Sequence, residues 1–142
     1  VQLYRHVLHP RIPRMAFIGH NQSFLFMPSV EISALWMVAV WRNELQLPSL
    51  ENMEDTMRRV TGWKRKNQAF DPTMFFVTHS RYQQFIDTLL GDIGVNPFRK
   101  MPNIFAEMFG KYGSSDYREV FSEYDRHLLA ITSTLRPLDV DT

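Results

Sequence analysis

The side chains of this 142-residue chain that could do chemistry are a polar block, five histidines and one basic run. The polar block is His20-Asn21-Gln22-Ser23, set directly after the apolar stretch Met15-Ala16-Phe17-Ile18-Gly19 and shortly ahead of an apolar run from Ser29 to Trp41. Hydroxyl, amide and imidazole groups at the carboxyl end of a strand lie where open α/β sheets meet their ligands. The same residues also make an ordinary polar turn, which is their commoner use. His6 and His9 stand three apart and His20, His79 and His127 stand alone, so no second group converges and structural roles are favoured over metal ligation. Ser23 lacks the glycine-flanked elbow of hydrolases. Gly91-Asp92-Ile93-Gly94 lacks the third glycine and the preceding strand of a dinucleotide fingerprint. Lys64-Arg65-Lys66 reads as a solvated helix end rather than a phosphate site. No catalytic residue and no metal ligand is assigned.

The elements that would position the block follow from periodicity. Met15 to Ile18, short and continuously apolar, reads as a strand covered on both faces. Ser29 is a suitable N-cap for a helix from about Val30 to Asn43, with Glu31 in its first turn. Ile32, Leu35, Trp36 and Ala39 form one stripe of that helix, while Val30, Ala34, Met37 and Trp41 cover much of the other side, as in a helix between two layers. Ser49 caps a second helix bearing Leu50, Met53, Met57 and Val60 on one face, with Gly62 as its stop. Met74 to Val77 is a short apolar segment. Ser80 opens a third helix with Tyr82, Phe85, Ile86, Leu89, Leu90 and Ile93 on one face, closed by Gly91 or Gly94. Beyond Phe98 an aromatic segment predicts one or two short helices in packed loops. The tail from Thr132 to Thr142 has little to bury and is expected to be poorly ordered.

Length and composition predict one globular core. A formal charge of +1 gives no electrostatic case for nucleic acid or an anionic membrane, so neither is expected as a partner. The absence of cysteine excludes disulfides and thiolate chemistry. The longest apolar run is too short to span a bilayer. The chain opens on Val1 without a leader pattern, and its apolar first helix has few elements to cover both sides; a fragment of a longer protein is the expectation.

Leu3-Tyr4-Arg5-His6, His9-Pro10, Ile12-Pro13, Met15-Ala16-Phe17-Ile18-Gly19, Glu31 and Trp36, in that order and spacing, resemble the C-terminal part of flavin-containing monooxygenases. A second set is similar to the plant-type branch of that family: Leu47-Pro48-Ser49, Gly94-Val95-Asn96-Pro97-Phe98-Arg99-Lys100, and Tyr112-Gly113-Ser114-Ser115-Asp116-Tyr117-Arg118. The resemblance runs from about Leu3 to Arg118.

It implies an α/β parent in which residues 1–45 hold the last strand and helix of a Rossmann-like FAD domain. Residues 46–131 would be a helical C-terminal extension and 132–142 a tail, so that this chain itself is mostly α-helical with few short strands. It further implies FAD and NADPH as cofactors, and oxygenation of nucleophilic nitrogen or sulfur in a small-molecule substrate through a flavin hydroperoxide. The upstream portion of the same polypeptide, which would carry the phosphate-binding motifs, is the expected partner, and a cytoplasmic location is expected. Gly19, His20, Asn21 and Gln22 are the implied cofactor-binding residues: glycine lets the backbone approach a flat ring, and a helix N-terminus favours the negative charge of reduced flavin. After Gln22, Ser23-Phe24-Leu25-Phe26 replaces the proline- and glycine-containing stretch of mammalian-type members. Two alternatives remain open: a Baeyer-Villiger monooxygenase fragment, and a non-enzymatic helical domain whose aromatic segment after Phe98 meets a partner.

Overall fold

A computed structural model of the chain describes residues 2–12, 14–21, 23–67 and 82–135. The expectations for Gln22, for Met74 to Val77 and for Ser80 lie outside them. The described residues are mostly helical and contain isolated β-bridges in place of named strands. The helices are α1 (Phe26–Trp41), α2 (Leu50–Asn67), α3 (Tyr82–Asp92), α4 (Ile104–Phe109) and α5 (Val120–Leu135), with a 3-10 turn at Ser114–Tyr117.

The core forms where the stripe of α1 meets that of α3. Ile32, Leu35, Trp36 and Ala39 are buried, as their spacing predicted, and pack with Phe85, Ile86, Leu89 and Leu90. Trp36, the largest fully buried side chain, sits at 0% exposure, while Met27 and Trp41 on the outer side of α1 remain 60% and 48% exposed. The outer layer expected over this helix is therefore not supplied by the described residues. Tyr4, Val7 and Leu8 enter the same core from an N-terminal loop, and Met53 enters it from α2.

The strand expected at Met15 to Ile18 is not formed. Ala16 makes one antiparallel bridge to Leu8, and the Phe17 amide donates to the Val7 carbonyl at 2.8 Å, but Met15 is 46% and Ile18 37% exposed. A doubly covered strand needs a ladder on each side and layers above and below, and the described residues provide neither.

Helix α1 begins at Phe26, four residues before the expected start, and Ser29 is not its cap. Pro28 lies in the first turn, where a missing N–H costs no intrahelical bond. Ser29 is buried inside the helix, its hydroxyl donating to the Leu25 carbonyl at 2.7 Å, and Ser33 repeats the arrangement toward Ser29 at 2.6 Å. Ser49 does cap α2, accepting from the Asn52 amide at 3.3 Å. Gly62 does not stop that helix; an isolated glycine costs only about 1 kcal/mol there, and α2 continues to Asn67.

Gly94, at φ +76°, closes α3, and the Val95 amide donates back to the Leu90 carbonyl at 2.9 Å. After the short α4, the long α5 was not anticipated. Its signal is the spacing of Val120, Tyr124 and Leu128, with the first two buried and the third packed against the core. Helix α5 extends to Leu135, into the segment expected to be a tail.

Candidate functional site

The polar turn stands immediately before the N-terminus of α1. Gly19 takes φ +73°, a left-handed conformation that favours glycine, although an added Cβ would meet only ordinary contacts with Val30 and Phe26 at 3.5 and 3.7 Å. His20 is half-buried, its ring 5.9 Å from that of Phe17. Asn21 is 1% exposed and Ser23 8% exposed, and among the described residues neither Asn21 Nδ2 nor Ser23 Oγ has a hydrogen-bond partner. Buried polar atoms are normally paired, so two unpaired donors side by side in one turn require an explanation. Gln22, between them, lies outside the described residues.

His6 and Lys64 add to the electrostatics of this region. Burial, followed by the fields of Lys64 and His20, holds the His6 imidazole down at about 3, so it is neutral at physiological pH. Lys64, far from being a solvated helix end, is 8% exposed. Burial lowers its ammonium to about 8, which leaves it mostly protonated at neutral pH. Met53, Met57, Thr61 and Lys64 recur at helical spacing along α2, and Met53, Thr61 and Lys64 are buried. Extending the apolar stripe of α2 by two turns would have identified this lysine from sequence. Arg11, whose guanidinium reaches Glu54 Oε1 at 2.8 Å, ties the N-terminal segment to the same helix.

The two motif sets become two polar clamps. In the first, Arg5 and His6 take φ of 53° and 55°, strained for residues other than glycine. Arg5 Nε and Nη2 donate to the two carboxylate oxygens of Asp92, both at 2.9 Å, and Trp36 Nε1 donates to Asp92 Oδ2 at 2.9 Å. The loop, α1 and the end of α3 are thereby locked at one carboxylate. A carboxylate at a helix C-terminus is opposed by the helix dipole, and the arginine offsets that.

In the second clamp Arg99, with its side chain 7% exposed, donates to Glu123 through Nη1 and Nη2 at 2.7 and 2.8 Å, to the Asn96 carbonyl and to the Asp116 carbonyl. Lys100 Nζ reaches both oxygens of Asp116 at 3.1 Å, and the Gly113 amide donates to Asp116 Oδ2 at 2.7 Å. Glu107 turns inward to accept from the Lys100 amide and the Tyr112 hydroxyl. Helix α4 consequently faces outward with its apolar residues, Phe105 at 81% and Phe109 at 76% exposure. These motif residues hold the fold and present no reactive group.

Among the described residues no group of three or more His, Asp or Glu could hold a metal ion, and no helix is long and apolar enough to cross a membrane. His9 Nδ1 accepts from the Arg11 amide at 3.3 Å, and His127 packs beside Gly94. His79 lies outside the described residues.

No protein-family model matches the chain. Among curated proteins it is 35% identical over 116 residues to "Probable flavin-containing monooxygenase 1" of Arabidopsis thaliana, covering 82% of this chain and 21% of that protein. It is 33% identical over 126 residues to "FAD-dependent monooxygenase DEP4" of Fusarium langsethiae, covering 85% and 22%. It is also 31% identical over 117 residues to "Flavin-containing monooxygenase 3" of Rattus norvegicus, covering 77% and 21%. The chain belongs to the flavin-containing monooxygenase family. It spans about a fifth of the length of the relatives it matches.

Proposed function

We propose that this chain is the C-terminal part of an FAD- and NADPH-dependent monooxygenase that oxygenates nucleophilic nitrogen or sulfur atoms of small molecules. Residues 1–45 would complete the Rossmann-like FAD domain, 46–131 form the helical extension and 132–142 the tail. Gly19, His20, Asn21 and Gln22 would lie against the flavin. The observation that carries this reading is the pair of buried, unpaired donors in the turn before α1. A flavin presents carbonyl and ring-nitrogen acceptors along its pyrimidine edge, and Asn21 Nδ2 and Ser23 Oγ, without a partner among the described residues, would donate to such an edge. The bound flavin supplies the oxygen-activating chemistry; the contribution of this chain is to orient the ring and exclude water. The upstream portion of the polypeptide would cover the exposed outer side of α1.

Purifying the full-length protein tests the reading. It should carry one FAD per chain, and consume NADPH and oxygen stoichiometrically with an oxygenated amine or thioether. Conversion of ketones to esters instead would identify a Baeyer-Villiger enzyme, and absence of bound flavin would leave an interaction domain. Replacing Gln22 by leucine should lower the flavin midpoint potential, since one charge-assisted bond is worth about 1.5–3 kcal/mol to the anionic reduced form. An unchanged potential would remove Gln22 from the site.

A further inference from the structure

Helix α4 turns its charged side chain inward and its apolar ones outward. Glu107 accepts from the Lys100 amide at 2.9 Å and from the Tyr112 hydroxyl. Asn103 Oδ1 caps the helix by accepting from the Ala106 amide at 3.0 Å, and the Gly110 amide closes it on the Ala106 carbonyl at 2.8 Å. A six-residue helix is marginal by itself, so these bonds fix both its existence and its roll. Ile104 and Met108 stand four residues apart, as do Phe105 and Phe109, and the four share one outward face at 61% to 81% exposure. Phe98 and Met101, on the segment leading into the helix, are exposed at 60% and 50%.

Extent, composition and charge together indicate what covers this face. With about 150–200 Å² for a fully exposed large side chain, these six residues present roughly 600–800 Å². A standard interface takes about 800 Å² from each partner, whereas the largest apolar patch of a typical monomer is about 300–600 Å². The face is built of phenylalanine, methionine and isoleucine, the composition of a homodimer core, while contacts between domains of one chain are more polar. The charged residues between Phe98 and Gly110 are all drawn inward: Arg99 to Glu123, Lys100 to Asp116, and Glu107 as above. A twofold contact sets a patch against its own copy, so a net charge on it would repel, and this patch carries none. For the same reason it offers no cluster of cations to lipid headgroups.

We propose that the outward face of α4 is the twofold contact of a homodimer, with Phe105 and Phe109 of each copy packed on the same face of the other. The inference goes beyond the flavin reading and does not depend on it. Asn103, Glu107 and Tyr112 are positioning residues for the contact, because they hold the helix with its apolar side outward.

The test uses the full-length protein, its mass measured by sedimentation velocity and light scattering across the micromolar range. The wild type should be a dimer. Phe105→Glu combined with Phe109→Glu places two charges on each side of the contact and should weaken dimerisation about a hundredfold or more, at unchanged far-UV circular dichroism. Phe105→Leu combined with Phe109→Leu keeps the face apolar and should remain dimeric. A monomeric wild type overturns the proposal; protection of α4 from hydrogen exchange in that monomer would assign the face to the upstream portion, and its co-sedimentation with phosphatidylcholine vesicles would assign it to lipid. A dimer that the two glutamates leave equally tight also overturns it, since another surface then makes the contact. Should the double glutamate variant not fold, Phe105→Ala decides: dimerisation at least about tenfold weaker is expected, and an unchanged dissociation constant overturns the proposal.

Discussion

Replacing Asp92 by alanine should loosen the joint between the N-terminal loop, α1 and α3, because three donors converge on that one carboxylate. Trp36 Nε1 loses its acceptor in a side chain that is 0% exposed, and a buried donor left unpaired costs about 1–3 kcal/mol. Arg5 loses two bonds of 2.9 Å, but its side chain is 25% exposed and water restores part of that contribution. A net loss of about 2–4 kcal/mol follows, less than the sum of the separate bonds because all three share an acceptor. Urea unfolding of the purified chain, followed by far-UV circular dichroism, should show a lower midpoint at an unchanged slope. Asp92→Asn, which keeps one acceptor oxygen, should lose about half as much. Trp36→Phe removes the indole donor while keeping an aromatic ring in the core, so its effect should not add to that of Asp92→Ala; the coupling should be about 1 kcal/mol. A loss below about 0.5 kcal/mol for Asp92→Ala, the range of ordinary surface changes, or strict additivity in the cycle, would refute the view that this carboxylate joins the three elements.

Arg99→Met should cost about 3–5 kcal/mol, because it leaves Glu123 and the carbonyls of Asn96 and Asp116 without their shared donor; a chemical denaturation curve reads it directly. Gly94→Ala should destabilise by at least about 1–2 kcal/mol from its φ of +76° alone, and the new methyl group would also collide with the His127 ring, so adding His127→Ala should recover only the part due to the collision. Two half-buried groups should oppose one another in the acid limb of the stability curve. His6, held at about 3, binds fewer protons folded than unfolded as pH falls below 6.5, so it makes stability drop with falling pH. Asp87, raised to about 6 by burial and then by Glu107, stays protonated in the fold above its ordinary 3.8, so it makes stability drop with rising pH between those values. Between pH 4 and 6, His6→Gln should therefore leave a curve whose slope is shifted toward loss on raising the pH, and Asp87→Asn one shifted toward gain; identical slopes in the two variants would contradict these assignments.

What the sequence by itself determined lies in short-range pattern. The stripe of Ile32, Leu35, Trp36 and Ala39, the face of Phe85, Ile86, Leu89 and Leu90, and the Ser49 cap depend on neighbours three or four residues away, which a helix brings together wherever it packs. The order of the two motif sets was also legible, and with it the family. Their meaning was not: Arg5 meets Asp92 across 87 residues, and Arg99 meets Glu123 across 24, so only the folded chain shows that these residues are clamps. Tertiary structure likewise decided the strand and the start of α1. Met15 to Ile18 has strand composition but no pairing partners among the described residues, and Ser29 has the chemistry of a cap but is carried into the helix by the apolar residues before it. Lys64 is the sharpest case. Its charge favours solvent locally, and the packing of the α2 face withdraws it nonetheless, because burial belongs to the whole face of a helix rather than to one side chain on it.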